Sequence, residues 1–262
     1  MFRRLTARAV AKPEWGSTQL EPWFPNSQEK IGEQWFEELG DELLIKFLFT
    51  TGKLSVQVHP NDAYARQHHN SRGKTEMWHV LAAEPGAQIA AGFREPISEE
   101  RLRASALSGE IEKLLAWYDA RPGDTFFIPA GTVHAIGAGL VLCEIMENCD
   151  LTYRLYDYGR PRELHLDHGV RVSLRGPCEA RQPAREGLLV DCKYFTTEKH
   201  RIHGNLRLES PRKVQTVVIL EGQLQLGDQI ARAGEVWRAA STTAPLDLTG
   251  QATFLRILTP GS

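Results

Sequence analysis

The chain has 262 residues, with 31 Lys and Arg against 33 Asp and Glu and a formal charge of -2. With no surplus of cations to neutralise a phosphate backbone or an anionic bilayer, a dedicated nucleic-acid or membrane-surface binder is excluded. A share of 42% hydrophobic and 24% charged residues is that of an ordinary globular protein of one or two domains.

In chain order, the N-terminal MFRRLTARAVAKPEW is basic but lacks the apolar centre of a secretory signal. No later run reaches the roughly 18 apolar residues of a membrane span. Short β-prone runs follow at 43–50, 54–58, 77–81, 88–93, 125–128, 140–146 and 151–156, separated by Gly, Pro and Asn turns. That rhythm predicts an antiparallel sandwich or barrel. One helical interruption is expected over 98–118. Ser98 can cap a first helix there, and Ile111, Leu114, Leu115 and Tyr118 form an i, i+3, i+4, i+7 stripe on a second.

From 176 to 187 apolar periodicity gives way to Pro, Gly and Arg, which reads as a linker. Beyond it, strands are expected at 213–220, 223–226, 235–238 and 253–258, with turns at Glu221-Gly222, Gly227-Asp228 and Ala233-Gly234. The stretch Arg121-Pro122-Gly123-Asp124 and the stretch Arg232-Ala233-Gly234-Glu235 occupy equivalent places, a weak internal duplication of one β-barrel unit. The four cysteines, Cys143, Cys149, Cys178 and Cys192, show no Cys-x-x-Cys spacing and read as small buried hydrophobes in a reducing cytoplasm.

The chemistry concentrates in the first unit. Gly123-Asp-Thr-Phe-Phe-Ile-Pro129-Ala-Gly131-Thr-Val-His134 is a turn, an apolar strand, a second turn and a His, a hairpin that points one imidazole inward. It resembles the second sequence motif of the cupin superfamily, with Ala138 where an Asn is often found. Gln57 and His59 are two apart, so on a strand both side chains take one face and Val56 and Val58 the other. Glu76 opens the next strand and can enter the same cavity. Two imidazoles, a carboxylate and an amide oxygen suit zinc, two His and one carboxylate also suit non-haem iron, and a site without metal stays open on ligand chemistry alone. His68 and His69 read as solvated residues of a polar loop.

Several segments then carry a family resemblance in family order across about residues 12–160. They are Glu14-Trp15-Gly16, Lys30-Ile-Gly-Glu-Gln-Trp35, Lys46, Leu54-Ser-Val-Gln57-Val-His59-Pro-Asn-Asp62 and Gly73-Lys74-Thr75-Glu76-Met-Trp78. Ala130-Gly-Thr-Val-His134-Ala-Ile-Gly, Glu144-Ile-Met-Glu-Asn-Cys-Asp150 and Thr152-Tyr-Arg154-Leu-Tyr-Asp157 continue the series. The sequence resembles the type I mannose-6-phosphate isomerases (phosphomannose isomerases) in their short bacterial form. The resemblance implies a mainly β fold of two cupin-like barrels (jelly rolls) with a catalytic unit over 1–175 and its helical insert; over 188–262 no His follows the 235–238 strand, so that unit is expected to be a metal-free barrel. The resemblance implies one Zn2+ per chain on Gln57, His59, Glu76 and His134, substrate binding by Lys46, Lys74 and Arg154, and catalysis by Arg154, Lys74 and Glu144. The implied reaction interconverts mannose 6-phosphate and fructose 6-phosphate through a cis-enediol. Lys74, Glu144 and a zinc-bound water are the candidate proton carriers, Lys74 on the premise that its amine is depressed. Asp150 can orient Arg154 or serve as a turn carboxylate.

The expected partner is a small phosphosugar, with no nucleic acid and no membrane, in a cytoplasmic monomer or homodimer. Two alternatives have different chemistry: an iron-dependent cupin oxygenase, and a non-catalytic sugar-binding cupin. The segments Gly73-Lys-Thr-Glu and Tyr153-Arg-Leu-Tyr depart from the Asn-His-Lys-Pro-Glu and Arg-Ala-Gly patterns of the longer isomerases.

Overall fold

Alternation along the strands decides the layering of this protein. The computed structural model describes residues 2–38, 40–209, 214–239 and 245–259. These form β1 (Phe2–Arg4), β2 (Arg8–Ala11), β3 (Ile31–Phe36), β4 (Leu43–Thr50), β5 (Val56–Val58), α1 (Asp62–His69), β6 (Glu76–Ala83) and β7 (Gln88–Phe93). Next come α2 (Glu99–Ser108), α3 (Ile111–Leu114), β8 (Leu115–Asp119), β9 (Thr125–Ile128), β10 (His134–Ile136), β11 (Leu140–Glu147), β12 (Tyr153–Tyr156) and α4 (Leu166–Val172). The C-terminal part adds β13 (Arg181–Gln182), β14 (Gly187–Asp191), β15 (Thr196–Leu208), β16 (Val214–Leu226), β17 (Gln229–Arg232), β18 (Val236–Ala239) and β19 (Leu246–Thr259).

The strands build three antiparallel sheets. The front sheet has the order β12-β5-β10-β7-β8, the middle sheet β13-β9-β6-β11-β4-β3-β2, and the C-terminal sheet β1-β18-β16-β19-β15-β14 with β17 on β16. The fold is mainly β and cupin-like, as the sequence implies.

Side chains of successive residues take opposite faces of a strand. On β4, Ile45, Phe47 and Phe49 therefore join one core with Leu189, Phe195, Val218 and Leu255 of the C-terminal sheet. Leu48, between them, joins Trp78, Val80 and Leu142 against Ile89, Ala91 and Ile136 of the front sheet. The far face of the front sheet (Val56, Val58, Ala90, Ala135, Leu155) is covered by Leu102 and Ala106 of α2, Ile111 of α3 and Val170 of α4. A fourth core of Ile202, Val217, Ile219, Trp237 and Phe254 lies within the C-terminal strands. The layers thus run helices, front sheet, middle sheet, C-terminal sheet.

Four details differ from the expectations. Ser98 does cap α2, its hydroxyl accepting the Arg101 N–H at 3.1 Å. The second helix, however, is one turn, and Leu115 to Tyr118 enter β8 beside β7. An Ile/Leu stripe ending in Ala-Trp-Tyr serves either period, and the open edge of β7 decides it. The 176–187 stretch is packed, since Gly176 O accepts from Phe93 N at 3.0 Å, Ala180 O accepts from Phe127 N at 2.9 Å, and β13 pairs with β9. Glu221-Gly222 is paired strand within the continuous β16, just after a register shift between Ile219 and Glu221, rather than a turn. His68 and His69 end α1, where His69 Nε2 lies 2.7 Å from the Tyr153 hydroxyl. Lys213, which opens the expected 213–220 strand, lies outside the described residues.

Candidate metal centre and active-site cleft

Residues directly opposite one another in a sheet share a face, so register assembles the site. In the front sheet Gln57 stands opposite both His134 and Arg154. In the middle sheet Glu144 stands opposite both Lys46 and Trp78. These two polar rows occur on the faces that enclose the interior between the sheets.

Backbone close approaches bring in the rest. Gly131, at φ 89°, turns the chain after β9 so that its N–H donates to the His59 carbonyl at 2.8 Å, tying the two histidine segments together. Gly73 crosses the 60–62 segment so closely that a Cβ would lie 2.5 Å from Asp62 N, and Lys74 N then donates to Pro60 O at 3.0 Å.

His59, Glu76 and His134 are the group that can hold a metal ion among the described residues, with ligand atoms all within 4.8 Å of one another. Glu76 Oε1 lies 3.5 Å from His59 Nε2 and 3.3 Å from His134 Nε2. Neither nitrogen nor that oxygen has a hydrogen-bond partner, although all three are buried. Unpaired polar atoms at such depth are costly unless something else satisfies them. The other ring nitrogens face carbonyls, His59 Nδ1 with Leu151 O at 3.0 Å and His134 Nδ1 with Thr132 O at 2.9 Å. Each Nδ1 therefore donates and leaves the Nε2 lone pair directed at Glu76, the arrangement of metal-ligating histidines. Metal–ligand bonds of about 2.0–2.2 Å place tetrahedral ligands about 3.3–3.5 Å apart, which is the separation of Glu76 Oε1 from each histidine nitrogen. Burial holds both imidazoles below their ordinary pKa, so they are neutral.

Above this trio a cleft of about 260 Å³ is lined by Gln57, Lys46, Lys74, Trp78, Glu144, Asp150 and Arg154. The trio meets the cleft through Lys74, which pairs with Glu76, and Gln57, which stands opposite His134. Lys74 Nζ lies 3.1 Å from Glu76 Oε2. Burial alone would lower the Lys74 ammonium, but Glu76, Glu144 and Asp150 hold it above the usual lysine range. The premise of a depressed amine is thereby reversed, because three carboxylates outweigh desolvation.

Lys46 is 2% exposed, 3.5 Å from Glu33 and 3.7 Å from Glu144, with Trp35 beneath it at 4.1 Å. Glu144 also accepts the Trp78 indole N–H at 3.1 Å. Arg154 donates to the Glu163 carbonyl at 2.8 Å while its buried Nε has no partner. Burial, then Arg162 beside it, lowers its pKa. Asp150 faces Lys46 at 3.9 Å, and Arg154 is oriented by the Glu163 carbonyl instead.

Lys12, Glu33 and Arg162 also line the cleft and were missed in the sequence. Lys12 pairs with Glu33 at 3.2 Å, and Arg162 is braced by both oxygens of Asp157 at 2.6 and 2.7 Å. The i, i+5 Asp157–Arg162 pair in a Gly-Arg-Pro-Arg loop was the available signal.

A buried His-Glu-His set beneath a cation-lined cleft, in a cupin-like β fold, is the architecture of a metal-binding cupin. Comparison with known proteins narrows this. No family model matches the chain. The mannose-6-phosphate isomerase of Streptococcus mutans is 38% identical over 194 residues, 69% of this chain and 61% of the relative. YvyI of Bacillus subtilis, itself assigned to the mannose-6-phosphate isomerases, is 31% identical over 227 residues, 80% of this chain and 70% of the relative. The crystal structure of a Bacillus subtilis mannose 6-phosphate isomerase superposes with a TM-score of 0.83 at 26% identity, over 97% of this chain and 98% of that one. A zinc-bound mannose 6-phosphate isomerase has the same fold, with a TM-score of 0.77 at 16% identity over 98% of this chain and 99% of that one. The chain belongs to the mannose-6-phosphate isomerase family, and its match spans about three fifths of the Streptococcus mutans relative.

Proposed function

We propose that this protein is a zinc-dependent aldose-ketose isomerase that interconverts mannose 6-phosphate and fructose 6-phosphate. One observation carries the reading: three buried ligand atoms, His59 Nε2, Glu76 Oε1 and His134 Nε2, converge without partners behind Lys74, which opens onto a cleft lined by five cations. Family membership and the zinc-bound neighbour support it. His59, Glu76 and His134 would hold the zinc ion, and Gln57, in the same row as His134, would supply a fourth ligand, its amide oxygen. When bound, zinc supplies a Lewis acid for a carbonyl or hydroxyl oxygen of the sugar.

The chain's own residues supply the rest of the mechanism. Moving a proton between C1 and C2 of an open-chain sugar develops negative charge on oxygen, and a cis-enediol is the intermediate. Arg154, with an unsatisfied Nε, stabilises that charge. Lys74, held as an ammonium, steadies Glu76 and presents a second positive charge to the cleft. Glu144 carries the proton, because its carboxylate lines the cleft and is held in place by Trp78 and Lys46. Lys12 and Arg162 join Lys46 in taking the phosphate dianion. The unit of about residues 1–175 carries this chemistry, and 188–262 is a metal-free support to which residues 2–4 add an edge strand.

A coupled assay for fructose 6-phosphate production from mannose 6-phosphate tests the reading. Activity that disappears on chelation and returns with zinc supports it. Oxygen consumption with added iron, or binding of the sugar phosphate without turnover, would overturn it in favour of an oxygenase or a binding protein.

A further inference from the structure

The Lys74–Glu76 segment is held from behind by a second part of the molecule. The turn between β14 and β15 is closed by Cys192 N donating to Phe195 O at 3.0 Å, and Phe195 is buried in the core beneath the middle sheet. From that anchored turn, the Tyr194 hydroxyl donates to Asp62 Oδ2 at 2.9 Å and Lys193 Nζ lies 3.2 Å from the same oxygen. The other oxygen, Asp62 Oδ1, accepts the Gly73 N–H at 3.1 Å. Two residues on, Thr75 N donates to Glu147 Oε2 at 2.8 Å. One carboxylate thus bridges the C-terminal sheet and the backbone leading into Lys74 and Glu76. Gly73 admits no side chain at this crossing, so the segment has no slack with which to absorb a shift of Asp62. A cavity of about 300 Å³ lined by Asp62, Arg66, Arg72, Glu147, Lys193 and Tyr194 lies on this side of the segment, so the bridge rather than close packing holds it.

We propose that Tyr194 is a positioning residue for the active site, acting through Asp62 to fix the 73–76 segment and with it Lys74 and Glu76. The proposal gives the C-terminal sheet a part in catalysis, and it rests on the isomerase reading of the cleft.

The test compares wild type, Tyr194→Phe, Asp62→Asn and Trp23→Phe. Asp62→Asn keeps an oxygen for Gly73 but loses the charge that meets Lys193. Trp23→Phe removes a different bond across the same junction, Trp23 Nε1 to Leu220 O at 2.9 Å. For Tyr194→Phe and Asp62→Asn, kcat at saturating zinc falls about tenfold with KM for mannose 6-phosphate unchanged. Zinc affinity, read by competition with a chromophoric chelator, falls about three- to tenfold, toward the range seen when the residues behind metal ligands are changed. Trp23→Phe lowers Tm and leaves both constants alone. Wild-type kcat and zinc affinity in Tyr194→Phe and Asp62→Asn overturn the proposal, as does an equal loss in Trp23→Phe, which would mark general loosening. A wild-type chain without isomerase activity overturns the reading of the cleft, and the zinc-affinity comparison then still decides the positioning role.

Discussion

The interior between the front and middle sheets and the interior within the C-terminal strands are built from the same antiparallel geometry, but only the first adds buried charge to its apolar core. The first encloses Lys46, Lys74, Glu76, Glu144 and two imidazoles, all at most 5% exposed. The second is Ile202, Val217, Ile219, Trp237 and Phe254. Burying charge costs free energy that pairing only partly offsets, so the first interior is not arranged for stability. Each of its cations faces a carboxylate, Lys46 with Glu33 and Glu144 and Lys74 with Glu76. Among the atoms left without hydrogen-bond partners are the two imidazole Nε2 and Glu76 Oε1, which point at one another, and Arg154 Nε in the cleft. The difference teaches that the C-terminal interior stabilises the chain while the first holds reactive groups at depth, and substitutions should separate the two.

The largest effect is expected from Glu76→Ala. It removes the carboxylate between two imidazoles and strands the buried Lys74 ammonium, which should cost about 3–5 kcal/mol in urea unfolding. Bound zinc, measured by atomic emission on the purified protein, should fall to background, and turnover with it. Arg154→Ala comes next. Loss of one charge-stabilising donor should lower kcat about 10²–10³-fold while zinc content and the unfolding midpoint stay near wild type. Turnover close to wild type in that variant would remove Arg154 from the mechanism. Phe254→Ala reverses the pattern: a cavity in the C-terminal core should cost about 3–5 kcal/mol of stability, with zinc content and kcat per folded molecule retained. Loss of zinc in Phe254→Ala would show that the two interiors are not separable.

Much of this contrast was legible in sequence. Strand spacing located β4, β7 and β9 to the residue, because Gly, Pro and Asn turns bound short runs of β-branched and aromatic residues. The two-residue offset of Gln57 and His59 put both on one face for the same geometric reason. His59, Glu76 and His134 come from three strand ends far apart in the chain; strand alternation and ligand chemistry grouped them with the choice of metal open, and the family resemblance pointed to zinc. What stayed hidden depends on partners in other segments. The Ile111–Tyr118 stripe became one helical turn and a strand because β7 offered an edge. Lys12 and Arg162 look like surface cations until folding sets them against Glu33 and Asp157. Tyr194 lies 132 residues from Asp62, in a turn with no motif of its own.

The smallest expected effect concerns the seam between the two regions and can be isolated by pH. Burial, reinforced by the charge on Asp62, pushes the Glu147 carboxyl up to about 7 despite the Thr75 N–H that it accepts. Burial would also raise Asp62, yet bonds from Gly73, Tyr194 and Lys193 hold it at about 2. Around the pair stand Arg66 from α1, Arg72 from the following loop, Glu42 before β4, and Lys193 and Tyr194 from the C-terminal turn. A carboxyl raised in the folded state binds its proton more tightly there than in the unfolded chain. The stability it contributes is therefore complete below the unfolded value near 4.5 and is lost as pH rises to about 7. Asp62 acts in the other direction and in another window, its contribution being lost only as pH falls below about 4. Glu147→Gln reproduces the protonated carboxyl, since its oxygen can still accept from Thr75 and its amide can donate to Asp62. The variant should lie within about 1 kcal/mol of wild type at pH 5 and exceed its stability at pH 8 by about 3 kcal/mol, read as a Tm difference that grows by several degrees. Taking the difference at each pH cancels the buried His79, whose pKa burial lowers to about 3 and which therefore destabilises both proteins equally as pH falls below 6.5. A Tm difference that does not change between pH 5 and pH 8 would mean that Glu147 is ionised throughout, and that the seam is held by two carboxylates rather than by one sharing a proton with its neighbour.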